Sequence, residues 1–125
     1  MLQDAPVIPY IPTSDLARAR KFYEQVVGLK PSQEINGGVV YTCGGGTEIF
    51  MYVSGGAGTS KASQAFWQVK DLKAEMAELR SRGLVFEEYD APGMKTDNGI
   101  ATGGGAMAAW FKDSEGNIMA IIQSI

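Results

Sequence analysis

The chain contains no histidine. That absence removes the commonest general base and the commonest transition-metal ligand together. Neither a Ser-His-Asp nor a Cys-His apparatus can be built from it, nor a His-ligated zinc, iron or nickel site. Any metal would need Glu, Asp and carbonyl oxygens, and no metal or other cofactor is expected. Cysteine occurs once, at Cys43, which excludes an intramolecular disulfide and fits a reducing cytoplasm. Positive charge is also scarce: 11 Lys and Arg stand against 14 Asp and Glu, for a net charge of −3 and a pI of 4.9. No basic patch is expected, so nucleic acid is not an expected partner. No apolar run approaches the ~20 residues that span a bilayer. The first residues lack a basic segment followed by an apolar one, so no membrane association or signal peptide is expected.

What remains is the composition of a single globular domain of 125 residues, long enough to bury a core. Glycine is abundant and clusters at Gly44–Gly46, Gly55–Gly58 and Gly103–Gly105, the pattern of loops and tight turns. The most informative stretch runs from Ala108 to Gln123. Ala108–Phe111 and Ile118–Ile122 read as two strands joined by the turn Lys112–Asn117, in which Asp, Ser and Asn bond their own backbone and Gly tolerates positive φ. The turn needs no ligand to explain it. The second strand is apolar at every position, which predicts burial on both faces.

From the start, Val7–Ile11 reads as a strand restricted by Pro9 and Pro12. Thr13 or Ser14 is the expected N-cap of a helix from about Asp15 to Val27. Leu16, Ala19, Phe22, Tyr23 and Val26 form its apolar stripe, and Gly28 ends it. Gly37–Thr42 and Glu48–Val53 are the next strands. Ser54–Ser63 is polar and Gly/Ser-rich, a flexible linker between two halves. It lacks a GxxxxGK[ST] pattern and leads into a strand, so it is no phosphate loop. The opening pattern then recurs: a strand over Gln64–Val69, a helix from Asp71 to Gly83, a strand over Leu84–Tyr89, the loop Asp90–Gly105 and the hairpin. Asp15-Leu16 answers to Asp71-Leu72, Gly28-Leu29 to Gly83-Leu84, and the turn at Gly46 to the turn at Gly116. The order β-α-β-β-β occurs twice, and such a repeat constrains the fold.

This arrangement resembles the vicinal oxygen chelate superfamily of glyoxalases, extradiol dioxygenases, fosfomycin-resistance enzymes and bleomycin-resistance proteins. The matching residues are Ser14-Asp15-Leu16, Phe22-Tyr23 and Gly28-Leu29, then Val69-Lys70-Asp71-Leu72, Leu79, Gly83 and Asp113-Ser114-Glu115-Gly116-Asn117. The resemblance implies an α+β fold: two βαβββ modules whose strands curl as a mixed sheet around a cleft, with the helices outside and usually a homodimer. Module 1 would span about 5–54, the linker about 55–63 and module 2 about 64–125.

The family's metal enzymes carry one ligand on each of four strands. Carried over by position, these fall on Ile8, Phe50, Gln64 and Ala120. Only Gln64 has an oxygen, and a neutral amide alone does not hold a divalent ion. Strand alternation then places Tyr10, Glu48, Tyr52, Phe66, Gln68, Ile118 and Ile122 on the same side, with Trp110 across the hairpin from Ala120. The expected ligand-binding residues are Ile8, Tyr10, Phe50, Tyr52, Gln64, Phe66, Gln68, Trp110 and Ala120. They would line an apolar and aromatic cleft with a few polar groups.

The loop Glu87–Thr102 is long enough to suggest a lid. Its Met94 suits either a cap over an apolar ligand or a contact with a partner subunit. Cys43 has no base beside it to lower its pKa and reads as a plain turn cysteine. Three functions compete. One is a metal-free protein binding a small apolar or aromatic compound. Another is a metal-independent lyase- or isomerase-type enzyme with Glu48 as general base and a Tyr as proton donor. The third is a structural subunit whose cleft is filled by its own side chains.

Overall fold

The computed structural model describes residues 1–125. Two four-stranded sheets organise it. The first has the order β1-β4-β3-β2, from β1 (Tyr10–Thr13), β2 (Pro31–Ile35), β3 (Gly38–Thr42) and β4 (Glu48–Val53). The second has the order β5-β10-β9-β8, from β5 (Ser63–Gln68), β8 (Ala101–Gly103), β9 (Ala106–Lys112) and β10 (Ile118–Ser124). A short ladder of β6 (Asp90–Ala91) and β7 (Met94–Lys95) lies between them in sequence. In each sheet the first strand runs parallel to the last, and the remaining pairs are antiparallel. Tyr10 pairs with Phe50 as Phe66 pairs with Ala120, so the two sheets are copies of one arrangement.

Both helices start on an aspartate. Asp15 caps α1 (Leu16–Lys21) by accepting from the Arg18 N–H at 3.0 Å, and Asp71 caps α2 (Leu72–Ser81) by accepting from the Ala74 N–H at 3.1 Å. Each satisfies a backbone donor that a helix start leaves unpaired. Asp15 therefore takes the capping role expected of Thr13 or Ser14. The expected helix to Val27 also changes character: Phe22–Val27 is a π-helix. Gly28, at φ 88°, ends it in the left-handed region.

Four further differences from the sequence reading have local causes. The first strand begins at Tyr10, and Ile8 lies before it. Pro31–Ile35 is a strand although its sequence is polar and entirely exposed, because it is the sheet edge. Leu84–Tyr89 forms no strand beyond a single bridge from Phe86 to Phe111, and the edge position goes to β8. The expected flexible linker is pinned: the Gly58 N–H donates to Asn117 Oδ1 at 3.0 Å, and a Cβ on Gly58 would stand 2.5 Å from the Glu115 carbonyl oxygen.

Sixteen buried residues from both sheets and both helical segments form one core, including Ile11, Tyr23, Met51, Leu72, Phe111 and Met119. The hairpin register pairs Trp110 with Ala120, and Met119, Ala120 and Ile121 are all buried. No helix is long and apolar enough to cross a membrane.

Candidate functional site

In β4 the buried side chains Ile49 and Met51 face the core, which turns Glu48, Phe50 and Tyr52 to the other side of the sheet. Tyr10 joins them from β1. Its ring centroid lies 5.6 Å from Phe50 and 4.9 Å from Tyr52, and Phe50 and Tyr52 are stacked at 6.2 Å. Gly38 makes this surface possible. A Cβ there would lie 2.7 Å from the Phe50 ring and 2.5 Å from the Met51 carbonyl oxygen, so the ring can approach β3 closely only over a glycine. Tyr10 is 66% exposed, a large aromatic surface left open by the chain's own packing.

The second sheet presents the equivalent face. Phe66, Ala120 and Trp110 lie side by side through the registers of β5, β10 and β9. Phe66 is 59% exposed and Ala120 is buried. Here the loop after α2 contributes a wall. Tyr89 meets Trp110 edge-to-face at 5.8 Å. With Met94, Ile118 and Lys61–Ser63 these rings bound a pocket of about 470 Å³. Burial pushes the Tyr89 phenol above its ordinary pKa, and Glu87 adds to that. The loop is held in place by Glu88, whose Oε1 accepts from Thr96 Oγ1 at 2.7 Å and from the Gly99 N–H at 2.6 Å. Met94 thus stands at the pocket wall, and Tyr89 belongs to the site although it read as a strand residue.

The remaining candidates separate from these two patches. Gln64 donates to Asn117 Oδ1 at 3.3 Å, and Gln68 is exposed with its amide 3.5 Å from Ser124. Ile8 is exposed before β1. Glu48 is half-buried and shares a pocket of about 230 Å³ with Cys43, Pro9 and Phe66. It makes no hydrogen bond to Tyr10 or Tyr52. The aromatic triad and the Trp110 pocket therefore lie on different sheets of one chain.

The polar centre of the molecule is elsewhere, at the β9–β10 turn, and it is structural. Asp113 accepts from the N–H groups of Glu115 (2.9 Å) and Asn117 (2.8 Å) and from the Tyr23 hydroxyl (2.6 Å). Asn117 donates to the Pro12 carbonyl at 2.7 Å. Glu115 accepts from the Ser14 and Asp15 N–H groups and from Arg18. Arg18 holds the Glu115 carboxyl far below the usual carboxylate range, against the opposing effect of burial. The turn locks the second sheet onto the start of α1.

The chain belongs to the glyoxalase/bleomycin resistance protein/dioxygenase superfamily, whose family profile matches residues 6–121. No curated protein sequence matches it at a significant level. Its fold is similar to that of a glyoxalase/bleomycin resistance protein/dioxygenase from Alicyclobacillus acidocaldarius, with 15% identity over 98% of this chain and 92% of that one, at a TM-score of 0.73. It is also similar to lactoylglutathione lyase from Agrobacterium tumefaciens, with 14% identity, coverage of 96% and 93%, and a TM-score of 0.71. A third likeness is to TnmS3, an antibiotic binding protein from Streptomyces sp. CB03234, with 20% identity, coverage of 100% and 99%, and a TM-score of 0.68.

The family's metal centre can be tested against the residues in its place. Ile8, Phe50 and Ala120 offer only hydrocarbon, and the Gln64 amide is turned to Asn117. No three His, Cys, Asp or Glu side chains gather anywhere in the chain to replace them. This donor set does not fit a divalent ion.

Proposed function

We propose that the protein is a metal-free small-molecule-binding protein, holding an apolar or aromatic compound against the aromatic faces of its two sheets. The observation that carries this reading is the triad of Tyr10, Phe50 and Tyr52, built over Gly38 and left open to solvent. A planar compound gains offset-stacking and apolar burial on such a surface. The pocket of Trp110, Tyr89 and Met94 offers the same chemistry on the second sheet, with Phe66 and Ala120 beside it. Support also comes from TnmS3, an antibiotic binding protein of similar fold. Ile8, Gln64 and Gln68, which lie outside these two patches, would contact only a ligand that extends past them.

The same open face suits a homodimer in which the first sheet of one copy meets the second sheet of the other, enclosing the ligand between them. A cytoplasmic location accords with the single half-buried cysteine. The general-base reading of Glu48 gains nothing from the geometry, since no phenol bonds to it.

A thermal-shift screen with neutral planar aromatic compounds, run with and without EDTA, tests this function. A compound at a hundred times its Kd adds about 3 kcal/mol of stability. The expected result is a shift that EDTA leaves unchanged; no shift across the panel would contradict the reading.

A further inference from the structure

A cavity of about 600 Å³ lies between α2 and the Asp97–Ile100 turn, apart from the aromatic faces. It lies beside the edge strand β8, which has three residues. Its apolar lining is Met76, Ile100 and Met107. Lys73 and Arg80 stand on its rim, seven residues apart and so on one face of α2.

Arg80 is unlike the other arginines. Arg18, Arg20 and Arg82 each pair with a carboxylate, whereas Arg80 has none within 4.0 Å. It is nevertheless held in place. Its guanidinium lies 5.3 Å over the Phe86 ring, and Nη2 donates to the Asn98 carbonyl at 3.0 Å. That carbonyl belongs to a tight turn closed by two backbone bonds between Asp97 and Ile100, with Asn98 at φ 51° and Gly99 at φ 82°, the geometry that Asn-Gly favours. The turn is fixed in turn by Glu88 at the Gly99 N–H. Lys73 also lacks a carboxylate partner. A fixed Arg80 and an exposed Lys73, neither paired with a carboxylate, beside apolar side chains are the complement of an amphipathic anion. Asp97 shares the rim and would repel a second negative charge, which favours a monoanion.

We propose that the cavity between α2 and the Asp97–Ile100 turn is a second ligand site, for an organic monocarboxylate with a short apolar tail. The carboxylate sits between Arg80 and Lys73, and the tail lies on Met76, Ile100 and Met107. The site is independent of the aromatic faces.

Amide NMR titration of the full chain with octanoate, 1-octanol and inorganic phosphate tests it. Octanoate is expected to give saturable shifts at residues 73–80 and 97–107. Octanol and phosphate should bind roughly tenfold more weakly, since each lacks one half of the recognition. Arg80→Gln should weaken octanoate by about tenfold, and Lys73→Gln, which breaks no internal contact, by about threefold. If Arg80→Gln disturbs the turn, Lys73→Gln carries the test alone. Equal binding of octanol or phosphate, octanoate shifts confined to the aromatic faces (Tyr10, Phe50, Tyr52, Phe66 and Trp110), or undiminished binding by Lys73→Gln would each overturn the proposal.

Discussion

Arg18 and Glu115, 97 positions apart, form a two-pronged ion pair: Nε to Oε2 at 2.8 Å and Nη2 to Oε1 at 3.0 Å. The Glu115 side chain has 0% exposure and Arg18 has 54%, so the carboxylate is the buried partner and depends on the pair. Glu115→Ala leaves the Ser14 and Asp15 N–H groups and Arg18 without their acceptor. It should cost about 3 kcal/mol, and Glu115→Gln about 1–2 kcal/mol, by urea denaturation. An exposed pair such as Arg82–Glu78 should be worth under about 1 kcal/mol by the same measurement.

The same carboxylate sets an acid limit. Its folded-state pKa is depressed, so its stabilisation is fully present above the unfolded value of about 4.3 and is lost as pH falls through the folded one. Unfolding free energy should therefore decline below about pH 4, and the decline should be shallower in Glu115→Gln. A parallel slope in the two proteins would contradict this assignment.

Tyr23 sets the opposite limit. Burial raises its phenol well above the ordinary value, and Asp113 raises it further. A proton held more tightly in the folded state means stability that is present below pH 10 and is lost as pH rises. Tyr23→Phe removes the 2.6 Å bond to Asp113. It should cost about 1–2 kcal/mol at neutral pH and flatten the alkaline arm of the stability profile.

Gly38 couples fold to site. Gly38→Ala puts a methyl into the Phe50 ring and the Met51 carbonyl, an overpacking that typically costs 1–3 kcal/mol. It should also weaken a stacking ligand by displacing Phe50. Phe50→Ala should weaken the same ligand by about tenfold, from the loss of one stacked ring, with a smaller effect on unfolding because Phe50 lies outside the buried core.

Much of this architecture was legible in the sequence because it rests on local patterns. The uninterrupted Ile118–Ile122 run, the Asp-Leu pairs that open both helices and the two matching turns each follow from nearby residues. The failures fall where a distant group decides. Leu84–Tyr89 alternates like a strand, but Phe86 is needed in the core and Glu88 is drawn off to hold Thr96 and Gly99. Ala101–Gly103 has no strand pattern and becomes β8 by default at the edge. Ser14 reads as an N-cap, yet its hydroxyl and N–H turn to Glu115. The alternation in β4 puts Phe50 and Tyr52 on one face, where Tyr10 meets them. It did not show that Trp110 and the triad sit on separate sheets, nor that Tyr89 forms a wall.

We propose that the two aromatic faces recognise their ligand with carbon and aromatic surfaces and without an ion. Isothermal titration of EDTA-treated protein with Mn²⁺, Ni²⁺ and Zn²⁺, paired with binding of an aromatic hit from the screen, tests it most directly. The expected result is no stoichiometric uptake of any of the three and the same affinity for the aromatic compound in their presence. One ion bound per chain, lost when Gln64 is replaced by Ala, or aromatic binding that requires an ion, would contradict it.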